Sequence, residues 1–128
     1  MSARLRVGLL FGGSSVEHEV SLVSARGVAA ALDPDRFETV PIGVCANGRW
    51  LAPAESSRVL HADAKRVEAH DRGAARLVVD PGFGGLVRWA ADGPAQPVPL
   101  DVVFSVVHGW GGEDGRIQGL LDLAGVPC

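Results

Sequence analysis

The sequence predicts an α/β domain whose mostly parallel sheet is flanked by helices, on three observations. RLRVGLLF (4–11) and LDVVFSVV (100–107) are near-continuous apolar runs of strand length, the pattern of strands covered on both faces. Each run breaks into a glycine-rich loop carrying acids and a histidine. Each loop then opens into a segment whose apolar residues recur at helical spacing. A chain of 128 residues suits one domain with one sizeable core, so residues 1–128 are read as a single unit.

Taken in order, 4–11 is the first strand and 12–15 the loop that follows it. From Val16 to Leu32, Val16, Val20, Val23, Gly27 and Ala30 form an apolar and small stripe, while Glu17, Ser21 and Ser24 share another face. The stripe is expected to face the core. DPDR (33–36) ends the helix, because a proline disfavours helix at the preceding residue and aspartates suit turns. FETVPIGVC (37–45) is a second strand, and Asn47-Gly48 ahead of RWL is a strong hairpin signal. Between Pro53 and Pro99 the pattern weakens to a short helix near 55–66 and short strands at 75–80 and 85–90, and 46–98 is read as a variable, peripheral elaboration. The run at 100–107 restores a central strand, ending in HGWGGEDG (108–115). Asp114 is the expected N-cap of a helix with a core stripe of Ile117, Leu120, Leu121 and Ala124, and Gly125 its C-terminal cap. VPC (126–128) reads as the start of another strand.

Composition excludes several function classes. Hydrophobic residues make up 47 % and charged residues 21 %, as in globular proteins, and the net charge is −3. The lysines and arginines are scattered rather than gathered in a basic stripe, which argues against a nucleic-acid or acidic-membrane partner. Trp50, Trp89 and Trp110 form no stacking platform. No apolar run approaches the ~20 residues needed to cross a bilayer. The amino-terminal MSARLRVGLLFGG is read as the first strand rather than a leader, because its apolar run is short and lacks a cleavage site. Cys45 and Cys128 offer neither a disulfide framework nor a zinc spacing, and a reducing, cytoplasmic compartment is expected.

If the two long strands are parallel neighbours, both loops project from one carboxyl edge and share a crevice, so Glu17 and His108 meet there. Glycines let backbone approach a small ligand closely, and helix N-termini aimed at the crevice favour a carboxylate or phosphate. Glu17 has a second reading, since Ser14-x-x-Glu17 also fits a capping box. Gly12-Gly13-Ser14-Ser15 matches neither a P-loop nor a dinucleotide fingerprint, no G-x-S-x-G nucleophile motif is present, and EHE is not H-E-x-x-H, so no metal site is expected in this chain. Ser14 and Ser15 are read as caps rather than nucleophiles. His18 is read as solvated or locally hydrogen-bonded, and His61 and His70 receive no role.

GGSSVEHEVSLVSA (12–25) and HGWGGEDGRIQGLLDLAGVPC (108–128) resemble, in order and at length, the amino-terminal domain of D-alanine:D-alanine ligases. With both early strands and the Asn-Gly hairpin, the resemblance covers most of 4–45 and 99–128. It implies a Rossmann-like, pre-ATP-grasp domain in an ATP-grasp ligase that phosphorylates one D-alanine and joins it to a second in making peptidoglycan precursors. Glu17 and His108 would then belong to the catalytic centre. Glu17 would hold the ammonium of the first D-alanine, Val20 would lie near its methyl group, and His108 and Gly109 would sit beside it, with no proton-transfer duty assigned to His108. Gly12, Gly13, Ser14, Glu113 and Asp114 would support the loops. ATP and Mg2+ (or Mn2+) would be held by ATP-grasp domains absent from this chain, which alone should not ligate. The family also implies a homodimer. Ser105, where members often carry proline, and Trp110 depart from the pattern. Rival readings are a D-alanine:D-lactate or D-alanine:D-serine ligase, a non-catalytic binding module that lost the ATP-grasp half, and an unrelated receiver-like or nucleotide-binding domain.

Overall fold

The structure, a computed structural model, describes residues 3–68, 76–80, 82, 85–90, 93–109 and 112–128. His70, Trp110 and Gly111 lie outside the described residues. In chain order the elements are β1 (Leu5–Gly12), α1 (His18–Ala31), β2 (Phe37–Val44), α2 (Pro53–His61), β3 (Arg76–Asp80), β4 (Gly85–Trp89), β5 (Gln96–Val98), β6 (Val102–Ser105) and α3 (Arg116–Leu123). β1 is the middle strand of a parallel sheet ordered β2-β1-β6, with Gly12 opposite Val44 and Leu10 opposite Ser105. The α/β fold with a parallel sheet is therefore as expected.

The apolar run of β1 is continuous because both of its faces are covered. Leu9 and Phe11 point into a core with Leu22 and Ala25 of α1, Val59 and Leu60 of α2, and Val67. Leu10, on the opposite face, packs with Ile42, Leu121, Val126, Leu77 and Leu86. The last two come from a second, antiparallel sheet, β3-β4-β5. The strands expected at 75–80 and 85–90 are present as β3 and β4, with Ala75 outside the described residues. β5 was not signalled, since Gln96-Pro97-Val98 has no apolar alternation to reveal it. The middle of the chain is thus not peripheral in its packing, for it closes one side of the main sheet.

Several local expectations are corrected. The valine stripe of α1 faces outward: Val16, Val20 and Val23 are 103 %, 59 % and 66 % exposed, while His18, Ser21, Leu22 and Ala25 are buried. The reason lies in the backbone beneath. Ser21 Oγ accepts the Gly12 N–H at 2.9 Å and donates to the Val106 carbonyl at 2.6 Å, joining the ends of β1 and β6. Burying valines instead would leave those groups unmet, at about 1–3 kcal/mol each. The capping box does not form, because Glu17 is itself the N-cap residue and makes no side-chain capping bond. In α3, Leu121 and Ala124 are buried and Ile117 packs against them, but Leu120 is 41 % exposed. The N-cap there is Gly115 rather than Asp114, whose Oδ1 accepts the Arg116 N–H from one residue earlier. Gly125 follows the C-cap Ala124 with φ +77°.

The Asn47-Gly48 turn is present, with Gly48 at φ +89°, but its returning arm forms no regular strand and pairs with β2 through a Val44–Trp50 bridge. The helix expected at 55–66 occupies Pro53–His61. Ser56 repeats the Ser21 device, accepting the Gly43 N–H and donating to the Leu51 carbonyl. Beyond α2, the guanidinium of Arg26 on α1 donates to the carbonyls of Val59, Leu60, Ala62 and Ala64. It thereby supplies donors to carbonyls that a helix end leaves open. VPC forms no strand, although Pro127 O accepts the Val103 N–H of β6.

Replacing Ser21 by alanine orphans the buried Gly12 N–H, and urea denaturation should show a loss of about 1–3 kcal/mol. A loss below a few tenths would mean that Ser21 does not hold the two strand ends together.

Candidate functional site

Because β1 and β6 are adjacent and parallel, the loops that follow them leave the same edge of the sheet. The β1–α1 loop begins at Gly12 and Gly13, both at positive φ. A side chain at Gly12 would overlap the Val44 carbonyl, and one at Gly13 would press on Val107. These glycines let the chain turn sharply from β1 toward α1.

Ser15 then ties the two loops together. Its hydroxyl donates to the His108 carbonyl at 2.7 Å and accepts the Glu17 N–H at 3.1 Å. Glu17 meets the second loop at Gly109, the residue after the expected His108: a Cβ built on Gly109 would come within 2.9 Å of Glu17 Oε2. Gly109 also has φ +75°, a conformation costly for any other residue. His108 stands one step further in, its Nε2 3.2 Å from Ser24 Oγ on α1 and its Nδ1 3.5 Å from Glu113 Oε1. The ring is thus held from both sides. Val20, one helical turn past Glu17, is exposed, as is Ser14. Asp114 faces Arg116 at 3.4 Å and serves the start of α3.

The arrangement is an open shelf carrying an exposed carboxylate, an imidazole and a glycine-lined floor. It can pair with a cationic group and orient a small polar molecule. Among the described residues, no group of three or more His, Cys, Asp or Glu is placed to hold a metal ion. Ser15, read as a cap, also bonds the His108 carbonyl, and Ser24, given no role, bonds the His108 ring; His18 is buried rather than solvated, with both ring nitrogens in hydrogen bonds, one local to Gly13 and one to Val67. The signal was present for Ser24, which shares a helix face with Glu17 and Ser21. For Ser15 there was none, since its partner lies 93 residues away.

The family model described as D-ala D-ala ligase N-terminus matches residues 6–128. The chain belongs to this family. The D-alanine--D-alanine ligase of Rhodococcus erythropolis is 44 % identical over 98 % of this chain and 35 % of its own length. The D-alanine--D-alanine ligase A of Chromobacterium violaceum is 45 % identical over 97 % of the chain and 34 % of its own length. Among solved structures, the D-alanine-D-alanine ligase of Coxiella burnetii superposes with a TM-score of 0.76 at 31 % identity, over 97 % of this chain and 35 % of that one. The VanG D-Ala:D-Ser ligase of Enterococcus faecalis gives 0.75 at 31 %, over 98 % and 35 %. The chain thus spans about a third of the length of the relatives it matches.

Gly109→Ala should destabilise the protein by about 1 kcal/mol or more, because alanine resists positive φ and its methyl group meets Glu17. Gly27→Ala is the contrasting case, with nothing near its Cβ position in the middle of α1. It should gain about 0.5–1 kcal/mol. Equal effects of the two changes in denaturant titrations would contradict the close approach at Gly109.

Proposed function

We propose that this chain is the amino-terminal domain of an ATP-dependent D-alanine:D-alanine ligase and that its shelf grips the first D-alanine. The observation that carries the reading is the Glu17 carboxylate set against Gly109, at the meeting of two loops whose chain belongs to the D-Ala D-Ala ligase family. In this reading Glu17 accepts hydrogen bonds from the substrate ammonium, and Val20, one turn on, contacts its methyl group. His108, steadied by Ser24 and Glu113, lies beside the substrate and orients it. A fixed ammonium and methyl group leave the carboxylate free to take the γ-phosphoryl group of ATP, forming an acyl phosphate as the β–γ P–O bond breaks and ADP leaves. The amine of a second D-alanine then attacks the acyl phosphate, giving the dipeptide and phosphate. Holding the reacting carboxylate in one orientation contributes several kcal/mol to such a step.

ATP and Mg2+ (or Mn2+) belong to this reading as the phosphoryl donor and the cation that offsets its charge. In this reading both would be held by ATP-grasp domains elsewhere in the ligase polypeptide. A cytoplasmic location and a homodimer complete the proposal. None of the helices among the described residues is long and apolar enough to cross a membrane. A D-alanine:D-serine ligase is the second reading, favoured by the VanG neighbour, whose TM-score and identity equal those of the D-alanine-D-alanine ligase structure within 0.01 and 1 %.

Intact ligase carrying this domain should release phosphate from ATP in the presence of D-alanine alone, and a demand for D-serine would select the second reading. Glu17→Gln should raise the KM for the first D-alanine about ten- to a hundredfold, as expected for losing a charged hydrogen bond, with the KM for ATP nearly constant. An unchanged D-alanine response in this variant would remove Glu17 from the ammonium site.

A further inference from the structure

His18 is a buried titratable residue that the ligation mechanism does not use. It is the first residue of α1 and only 2 % exposed. Its Nδ1 lies 2.6 Å from the Gly13 carbonyl, and its Nε2 lies 2.8 Å from the Val67 backbone nitrogen. The partners fix its state. Val67 N–H is a donor, so Nε2 must carry a lone pair, and the Gly13 carbonyl is an acceptor, so Nδ1 must carry the proton. The ring is therefore neutral, with one donor and one acceptor matched to groups on opposite sides.

Both partners matter to the shelf. Gly13 is the pivot of the β1–α1 loop: its N–H donates to Val44 O, its φ is +101°, and its carbonyl is the one His18 takes. Two residues on, Ser15 fixes Glu17 N–H. Val67 is 1 % exposed, and its methyl groups fill the spaces left by the absent side chains of Gly12 and Gly43. The segment that carries Val67 is held at its near end by Arg26, through Ala62 and Ala64.

We propose that neutral His18 is a positioning residue, bracing the Gly13 turn against the 62–67 segment and so setting where the Glu17 carboxylate stands. The proposal rests on the reading of Glu17 as the ammonium site for its kinetic consequence, but its structural part is independent of that reading. His18→Phe keeps a buried ring and removes both hydrogen bonds. In the intact ligase it should raise the KM for the first D-alanine about tenfold or more, as displacements near 1 Å do, while the KM for ATP and kcat change little. Amide hydrogen exchange should quicken at Val67 and across 15–17. His18→Gln, which can still donate and accept once, should recover most of the lost affinity.

No rise in KM for His18→Phe, or a rise that His18→Gln does not reduce, would overturn the proposal. A wild-type ligase that does not use D-alanine would sink the functional reading alone, and exchange at 15–17 in the variants would then decide the positioning role. If His18→Phe does not fold, nitrogen NMR of the wild-type imidazole decides it. A protonated Nδ1 with a bare Nε2 supports the brace, and a proton on Nε2 contradicts it.

Discussion

A parallel sheet leaves backbone donors and acceptors unmet where its strands end and the chain turns into helices, and this structure is arranged around meeting them. Serines do the work at two of these ends. Ser21 serves Gly12 and Val106, and Ser56 serves Gly43 and Leu51. Both side chains are fully buried. Each must therefore sit on the inner face of its helix, and that requirement sets the rotation of α1 and α2 about their axes. The exposed valines of α1 are a consequence of this rotation rather than a defect in packing.

The same rotation builds the shelf. With Ser21 pointing inward to the ends of β1 and β6, Ser24 is carried to His108 and Glu17 to Gly109. A carboxylate facing a glycine at positive φ is a site with little steric bulk and a fixed charge, able to pair with a cationic group. His108 lies between a hydroxyl and the Glu113 carboxylate, which restricts the ring without committing it to acid or base chemistry.

The strands and loops were legible because burial on both faces leaves an unmistakable apolar run, as in 4–11 and 100–107, and because their pairing follows from the strand–loop–helix repeat. The meeting of Glu17 with the second loop followed from the expectation of neighbouring parallel strands. The inner face of α1 was not legible. Periodicity weighs side chains by hydrophobicity and takes no account of the backbone groups beneath them, so the valines outvoted Ser21 and His18. Leu77 and Leu86 lie in a stretch of mixed composition, and nothing local reveals that they cover the far side of β1 and β2. The capping-box pattern at Ser14 was a coincidence of spacing: Ser15, one residue on, is the serine that engages the loop.

The four carbonyls gathered by Arg26 have a consequence for how such a domain tolerates change in length. The guanidinium ties the end of α2 and the first turns after it to α1, so the path of the chain is fixed as far as Ala64. Loops that gain or lose residues ordinarily transmit the disturbance to the elements they join. Here an insertion between Val67 and β3 would spend itself beyond an anchored point, leaving the edge of the sheet that carries Glu17 and His108 undisturbed. Evolution could lengthen or shorten that connection at small cost to the geometry of the shelf.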